Sequence, residues 1–372
     1  MKGRVVFLRK YFGPFEIREY DVPDPEPGAI LIRILSGGVC GSDLHVWRGE
    51  QEPRLSLDAG GRCMGHEMVG RVEKLGEGIS ADSLGAPLEE GDRVTYCYFF
   101  PCNRCPTCLE GLRPACPNRF HASRSPEVWP HFKGAYGDYY YLKPNHFVFK
   151  VPDTLSDQIL TPLNCALSQV IYGLERVRLR VGDSVVIQGA GGLGLNATTV
   201  AKEMGAAQII VVDQHPGRLK LAVEFGATHT VSLQDHKTVK ERVDLVKDLT
   251  GTRGADIVCD FVGYPQVIPE GLEMLKSGGT YLEIGNISPG EVKLDASTFA
   301  MGFKQIQGIV HYDPSVIPKA ISFLQKNVHK YPLDKIISHT YKLEEVDEAF
   351  EQAEWQRREG DPTKVTRACI VP

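Results

Sequence analysis

Two patterns of apolar and polar positions divide the chain. Over the first 150 residues, short apolar runs alternate with turn residues: VVFLR near the start, ILIRILSGG at 30–38, MVGRVEKLG at 68–76 and DRVTYC at 92–97, joined by proline-rich or glycine-rich links. Runs of this length predict strands, and few windows there repeat at the helical period, so a mostly-β domain carrying loops is expected. From about residue 162 the pattern changes. NCALSQVIYGLERV predicts a helix, and GDSVVIQGAGGLGLNATTVAKEMGA predicts a buried strand, a glycine turn and a helix. The alternation continues as IIVVD with GRLKLAVEFGA, ADIVCDFVG with VIPEGLEMLKSGG, and then TYLEIG. Apolar strands interleaved with helices predict an α/β domain whose parallel sheet is covered on both faces. Towards the C-terminus, PSVIPKAISFLQKN and EEVDEAFEQAEWQRR predict further helices around the strand HTYKL.

The length of 372 residues suits two domains of ordinary size better than one core. Charged residues make up 24% and hydrophobic residues 42%, with a formal net charge of -5 spread along the chain, which fits a globular protein. Nothing resembles the basic footprint of a nucleic-acid binder or a polybasic membrane patch. The opening MKGRVVFLRKYFGPF interrupts its apolar run with Arg and Lys, so no secretory signal is evident, and no apolar stretch approaches membrane-spanning length. A cytoplasmic protein is expected, with neither nucleic acid nor membrane as partner.

Four of the ten cysteines change the picture most. Cys102, Cys105, Cys108 and Cys116 form a C-x2-C-x2-C-x7-C run in a polar loop too short to build its own core. Four thiolates so close together suit one tetrahedral zinc, and because they fill every position the site is structural by default. Ferredoxins also use a C-x2-C-x2-C run. Here seven residues separate the fourth cysteine from the third and no second run exists, so zinc is favoured over an iron–sulfur cluster. Concentration of thiols in a metal-like motif fits a reducing compartment.

Gly189, Gly191 and Gly194 make a G-x-G-x-x-G pattern directly after the strand SVVIQ. In a dinucleotide site the first glycine permits the tight turn, the second lets the backbone approach the pyrophosphate, and the third lets helix and strand pack closely. The pyrophosphate then sits over the helix N-terminus. Asp213, 19 residues beyond Gly194 at the end of the next apolar strand, is placed to accept hydrogen bonds from the ribose hydroxyls. A carboxylate there repels a 2′-phosphate, so NAD is expected over NADP; Arg218 is the residue able to reach an added phosphate.

A second metal-like set is scattered along the chain: Cys40 in GGVCGSDLHVWRG, His66 and Glu67 in MGHEMVG, and Cys165 in TPLNCALSQV. Two thiolates and an imidazole suit zinc and leave a fourth position open. Spacing alone does not bring such distant residues together, and each taken singly also suits a buried core position.

With these motifs in order, the chain resembles the zinc-dependent medium-chain dehydrogenase/reductase family, near its alcohol, polyol and threonine dehydrogenases. The signature GHE-x2-G occurs as Gly65, His66, Glu67 and Gly70, CGSD-x-H runs from Cys40 to His45, and the likeness extends to PLDKIISHTYKLEEVDEAFEQAE. The resemblance implies a GroES-like, mostly-β catalytic domain over 1–161 with a structural-zinc lobe, a Rossmann doubly wound domain over 162–311, and a segment 312–372 that completes the first. It implies two zincs per subunit, the catalytic one held by Cys40, His66 and Cys165, with Glu67 tuning the metal and Asp43 supporting its ligands. Hydride passes between an alcohol and NAD, and Ser42 relays the hydroxyl proton through the cofactor ribose to His45 and solvent. The cofactor set is completed by Leu193, Val262 and Ile284. Two features depart from the pattern: Asn164 stands where many relatives carry glycine, and Cys63, three residues before His66, is a candidate competitor for metal.

For the substrate, Trp47, Tyr98, Phe99, Phe100 and the segment around Trp129 and Phe132 suggest a bulky apolar, secondary, cyclic or polyol alcohol, although such aromatics equally serve as core. Arg48, Arg119, Arg124 and Lys133 are candidates for steering an anionic group. The alternatives are an NADP-linked reductase of carbonyls or activated alkenes, and a non-enzymatic nucleotide-binding protein. Pairing of subunits near QIQGIVHY, as a homodimer or homotetramer, is expected from the resemblance.

Overall fold

The computed structural model describes residues 1–52, 57, 60–120, 123–354 and 365–372. Its strands, in chain order, are β1 (Lys2–Leu8), β2 (Phe15–Asp21), β3 (Ile30–Val39), β4 (Arg62–Cys63), β5 (Glu67–Leu75), β6 (Arg93–Tyr96), β7 (Tyr139–Leu142), β8 (Val148–Lys150), β9 (Ser184–Gln188), β10 (Gln208–Asp213), β11 (His229–Ser232), β12 (Ala255–Asp260), β13 (Leu275–Glu283), β14 (Gln305–Gly308), β15 (His339–Lys342) and β16 (Ala368–Val371). Contacts divide the chain into two units: Met1–Cys165 with Asp313–Lys326 and Asp334–Pro372, and Ala166–Tyr312 with Asn327–Leu333. Compared with the boundaries expected after residues 161 and 311, the first unit runs on to Cys165, and 327–333 joins the second.

In the first unit β15, β16, β3, β5, β6 and β8 lie side by side, with β7 also paired to β3, while β2, β1 and β4 form a small separate sheet. Strand β3 is the organising element, antiparallel to β5, β7 and β16. Because β16 comes from the last residues of the chain, the C-terminal segment is built into the sheet that carries the first zinc motif. A core including Val6, Val39, Leu44, Met64, Tyr136, Phe350 and Ile370 fills the space beneath.

In the second unit the six strands are ordered β11-β10-β9-β12-β13-β14, all parallel. This is the doubly wound order in which the direction of winding reverses beside the first strand, here between β9 and β12, and opens a crevice at the C-terminal strand ends. All five residues of β9 are buried, as expected of a strand covered on both faces. The helices here are α1 (Ser168–Arg176), α2 (Gly192–Glu203), α3 (Pro216–Glu224), α4 (Val239–Leu249) and α5 (Val267–Met274).

Two helices differ from the sequence expectation. The run predicted as a helix from Asn164 starts with a π turn over Leu163–Leu167 before α1 begins, which widens the backbone around Cys165. The run VIPEGLEMLKSGG stops being helical at Met274, because Leu275 turns extended and pairs with Ala255 as the first residue of β13. The predicted C-terminal helix is present over Val346–Ala353, and residues 355–358 of that prediction lie outside the described residues.

Candidate metal centres and cofactor site

Cys40 directly follows β3 and caps a short helix over Gly41–Trp47; His66 immediately precedes β5, which Glu67 opens; Cys165 lies on the π turn. The ligand atoms of Cys40, His66, Glu67 and Cys165 lie within 4.8 Å of one another, and all four residues are buried. The His66 Nε2 to Cys165 Sγ distance is 3.3 Å, near the edge of about 3.6 Å that a nitrogen and a sulfur share around tetrahedral zinc. The other ring nitrogen, Nδ1, faces Asp43 at 3.5 Å, which assigns the proton to Nδ1 and leaves the Nε2 lone pair facing the cluster.

Asp43 is held in turn by several donors. Its carboxylate accepts from the backbone N–H of Cys40 at 3.0 Å and of Gly65 at 3.3 Å, and from the Tyr136 hydroxyl at 3.0 Å. Glu67 is fully buried; Oε2 accepts from Arg367, whereas Oε1 is buried with no hydrogen-bond partner. An orphaned carboxylate oxygen beside two thiols and an imidazole is costly unless a cation compensates it, so the donor set fits a metal ion. Hydrogen bonding to Cys165 holds the Cys40 thiol well below its ordinary range, and the same bond holds Cys165 up. Burial pushes Glu67 up to about 7, against the pull of Arg367. A dication among these groups releases their protons.

In the cysteine loop, Cys102, Cys105, Cys108 and Cys116 also lie with their sulfurs within 4.8 Å of one another. Separations of 3.8 Å for Cys105–Cys116 and 3.6 Å for Cys102–Cys116 exclude disulfides and match the edge of about 3.8 Å of a zinc tetrathiolate. The lobe is anchored by Arg113, whose guanidinium grips Asp313 through two bonds of 2.8 and 2.9 Å. Cys63 belongs to neither group: it is fully buried, donates to the His131 carbonyl at 3.5 Å, and burial pushes its thiol up to about 11.

Ser42 is half-buried on the first turn of the Gly41–Trp47 helix. His45 differs from a solvent-facing histidine. It is 4% exposed, with Nδ1 2.5 Å from Glu50 and 3.2 Å from Arg48, and burial lowers its pKa. The Glu50 carboxylate only accepts and lies closer than Arg48, so the 2.5 Å contact places the proton on Nδ1 and leaves Nε2 as the basic atom. Among the expected pocket aromatics, Tyr98 stands against the metal cluster, its ring 4.6 Å from that of His66 and its hydroxyl 3.9 Å from Cys165 Sγ. Trp47 packs into the core against Phe350, Phe99 and Phe132 are buried, and Trp129 lies edge-on to Tyr141. Of the cations, Arg48 binds Glu50 and Glu354, and Lys133 binds the carbonyls of Ser123 and Ser125.

In the second unit, the turn after β9 has Gly189 at φ +96°, and a Cβ on Gly194 would lie 1.8 Å from the Gly189 carbonyl oxygen. Gly191 is the N-cap of α2, with open space where its side chain would be. Leu193 follows in the first turn. Asp213, at the end of β10, accepts from the backbone N–H of Ala190 at 2.7 Å and of His215 at 2.8 Å, so it braces the glycine turn. Arg218 lies on the first turn of α3, its guanidinium pKa lowered by burial and raised by Asp213. Val262 packs against Gly189, and Ile284 is buried just beyond β13.

A model of the zinc-binding dehydrogenase family matches residues 192–326, and one of the alcohol dehydrogenase GroES-like domain matches 26–153. The 5-exo-hydroxycamphor dehydrogenase of Pseudomonas putida is 33% identical over 344 residues, covering 90% of this chain and 92% of that protein. This chain belongs to the zinc-binding medium-chain dehydrogenase/reductase family. Sorbitol dehydrogenase of Bacillus subtilis is 30% identical over 91% of the chain and 90% of its own length. The crystal structure of an alcohol dehydrogenase from Thermotoga maritima superposes with a TM-score of 0.90 at 31% identity over the whole of both chains. Family membership and the metal-ligand cluster make the protein a zinc-binding, NAD(P)-linked oxidoreductase acting on an alcohol or carbonyl. Among the described residues no helix is long and apolar enough to cross a membrane.

Several participants were not legible in the sequence. Arg367 and Tyr136 come from remote segments with no motif of their own. Asn164, a departure from the family pattern, ties three backbone groups together: its amide donates to the carbonyls of His66 and Tyr96, both at 3.1 Å, and accepts from Met68 N–H at 3.3 Å.

Proposed function

We propose that the protein is an NAD-linked dehydrogenase of a secondary, cyclic or polyol alcohol, with one zinc held by Cys40, His66 and Cys165 and a structural zinc held by Cys102, Cys105, Cys108 and Cys116. The convergence of Cys40, His66, Glu67 and Cys165 in one buried cluster carries this reading. Zinc at that cluster supplies a Lewis acid that lowers the pKa of an alcohol hydroxyl, and NAD supplies the hydride acceptor. Asp43 orients the His66 ring, Glu67 adds its buried carboxyl to the cluster, and Tyr98 gives it an aromatic wall. Ser42 is assigned to receive the hydroxyl proton and His45 Nε2 to accept it from the relay, with Glu50 holding the tautomer.

NAD is preferred over NADP because Asp213 is held as a carboxylate acceptor at the ribose end of the crevice, where a phosphate would be repelled. A cyclic secondary alcohol is favoured by the aromatic Tyr98 beside the cluster and by similarity to a dehydrogenase named for hydroxycamphor. Ten free cysteines fit a cytoplasmic location. The edge strand β14, flanked by exposed Met301, Phe303 and Val310, supports self-association through this edge.

The test is NAD(H)- and NADP(H)-linked turnover of metal-quantified protein with cyclic, linear, polyol and amino alcohols. NAD-dependent oxidation of one class with two zincs per chain is expected. Two zincs without turnover of any alcohol or carbonyl would overturn the catalytic reading.

A further inference from the structure

Two carboxyl groups stand side by side at the C-terminal edge of the second unit's sheet, and the activity described above does not use them. Asp260 ends β12, Glu283 ends β13, and the two are register partners in this parallel pair. Asp260 is fully buried. Its Oδ1 accepts from the backbone N–H of Val262 at 2.6 Å and faces that of Gly263 at 3.4 Å, while Oδ2 accepts from the Asn286 amide at 2.6 Å. Glu283 accepts the Asn286 backbone N–H at 2.8 Å, and the same Asn286 amide lies 3.3 Å from its other oxygen. The Asp260 carbonyl takes the Gly285 N–H at 3.1 Å. The loops approach so closely that a Cβ on Gly285 would lie 2.7 Å from Gly263 N and 2.9 Å from Asp260 Oδ2.

Both laced loops belong to the cofactor crevice. One carries Val262, which packs on Gly189 of the glycine turn, and the other carries Ile284. No basic side chain is bonded to either carboxyl among the described residues. Across the sheet, Gln188 on β9 is the partner of Asp260 and Gly308 on β14 that of Glu283, and neither titrates. The remaining titratable groups nearby are Cys259, Tyr281, whose hydroxyl donates to Gln188, and Glu270 from α5, already held by Arg242. Two buried carboxylates without a cation repel each other, and one retained proton removes the repulsion and supplies a donor between them.

We propose that Asp260, Glu283 and Asn286 are positioning residues that hold the Val262 and Ile284 loops in the cofactor-binding arrangement through one proton shared by the two carboxyl groups. The inference rests on the cofactor site assigned under the proposed function. Burial first and Glu283 second raise the Asp260 carboxyl to about 8, and burial raises Glu283 as well. The arrangement is therefore intact at neutral pH and lost as pH rises through that value.

The experiment is fluorescence titration of the zinc-loaded protein with NADH between pH 6.5 and 9.5. If the doubly ionised pair binds poorly, affinity falls with the protonated fraction and is about tenfold weaker at pH 9 than at pH 7. Asp260→Asn removes the titrating carboxyl, and although its NH2 replaces an oxygen that accepts from Asn286 or Val262, its affinity for NADH should no longer vary with pH; Glu283→Gln should do the same and serves if the first variant does not fold. Asn286→Ala should weaken NADH at every pH by loosening both loops. Wild-type affinity independent of pH, or an unchanged pH dependence in both amide variants, would overturn the proposal while leaving the cofactor site standing. Failure of the wild type to bind either NADH or NADPH at any pH would overturn the site and the proposal together.

Discussion

Replacing Gly194 by alanine puts a methyl carbon 1.8 Å from the carbonyl oxygen of Gly189 and 2.9 Å from its carbonyl carbon. An unstrained contact needs about 3.5 Å, so the turn and the start of α2 must separate by more than about 1 Å. Overpacking of this kind costs about 1–3 kcal/mol, and the upper end applies because the obstacle is backbone held at φ +96° rather than a side chain free to rotate. For a domain of this size, about 3 kcal/mol corresponds to a fall of about 6–12 °C in the melting temperature of the second unit. Gly191→Ala is the control with opposite behaviour. Its φ is -76° and nothing lies within 4 Å of the new methyl. The fold should lose less than about 1 kcal/mol, the preference of an N-cap for glycine over alanine. The methyl instead fills the space assigned to the pyrophosphate, so NADH should bind at least about tenfold more weakly, a loss of about 1.4 kcal/mol. Differential scanning calorimetry and NADH titration measure the two effects separately. Equal thermal losses in both variants, or NADH affinity untouched in Gly191→Ala, would refute the division of labour between these glycines.

Asn164→Ala strands the carbonyls of His66 and Tyr96 and the N–H of Met68, and should cost about 2–4 kcal/mol in urea unfolding; a midpoint shift near zero would mean that these bonds are replaced. Cys105→Ser should remove the metal of the cysteine loop and make 102–116 sensitive to protease, whereas His66→Ala should remove the other metal and turnover; metal analysis showing both variants still fully loaded would disprove the ligand sets. Cys63, with its thiol raised to about 11 by burial, stays protonated and should resist alkylation in the folded protein at pH 8, while denatured protein reacts; rapid modification of native Cys63 seen by mass spectrometry would contradict its place in the structure.

The sequence by itself determined whatever is encoded within a few residues. The four cysteines of 102–116 share one loop, the glycine turn joins a strand to the next helix, and the change from strand-only to strand-and-helix patterning marks where the second unit begins. Local spacing translates directly into distance in such cases, because a turn or a helix start fixes neighbouring side chains whatever the rest of the chain does. It also placed Cys40, His66, Glu67 and Cys165 in recognisable motifs, but their meeting depends on β3 pairing with β5 and on the π turn, which widens a segment whose pattern reads as ordinary helix. Tertiary structure alone decided the rest: Arg367, 300 residues from the Glu67 it binds; the burial of His45; the rupture of VIPEGLEMLKSGG into helix and strand; and the pairing of Asp260 with Glu283. Charge, hydrogen bonding and desolvation act through space over a few ångströms, and a sequence records such proximity only where the chain itself is short between the partners.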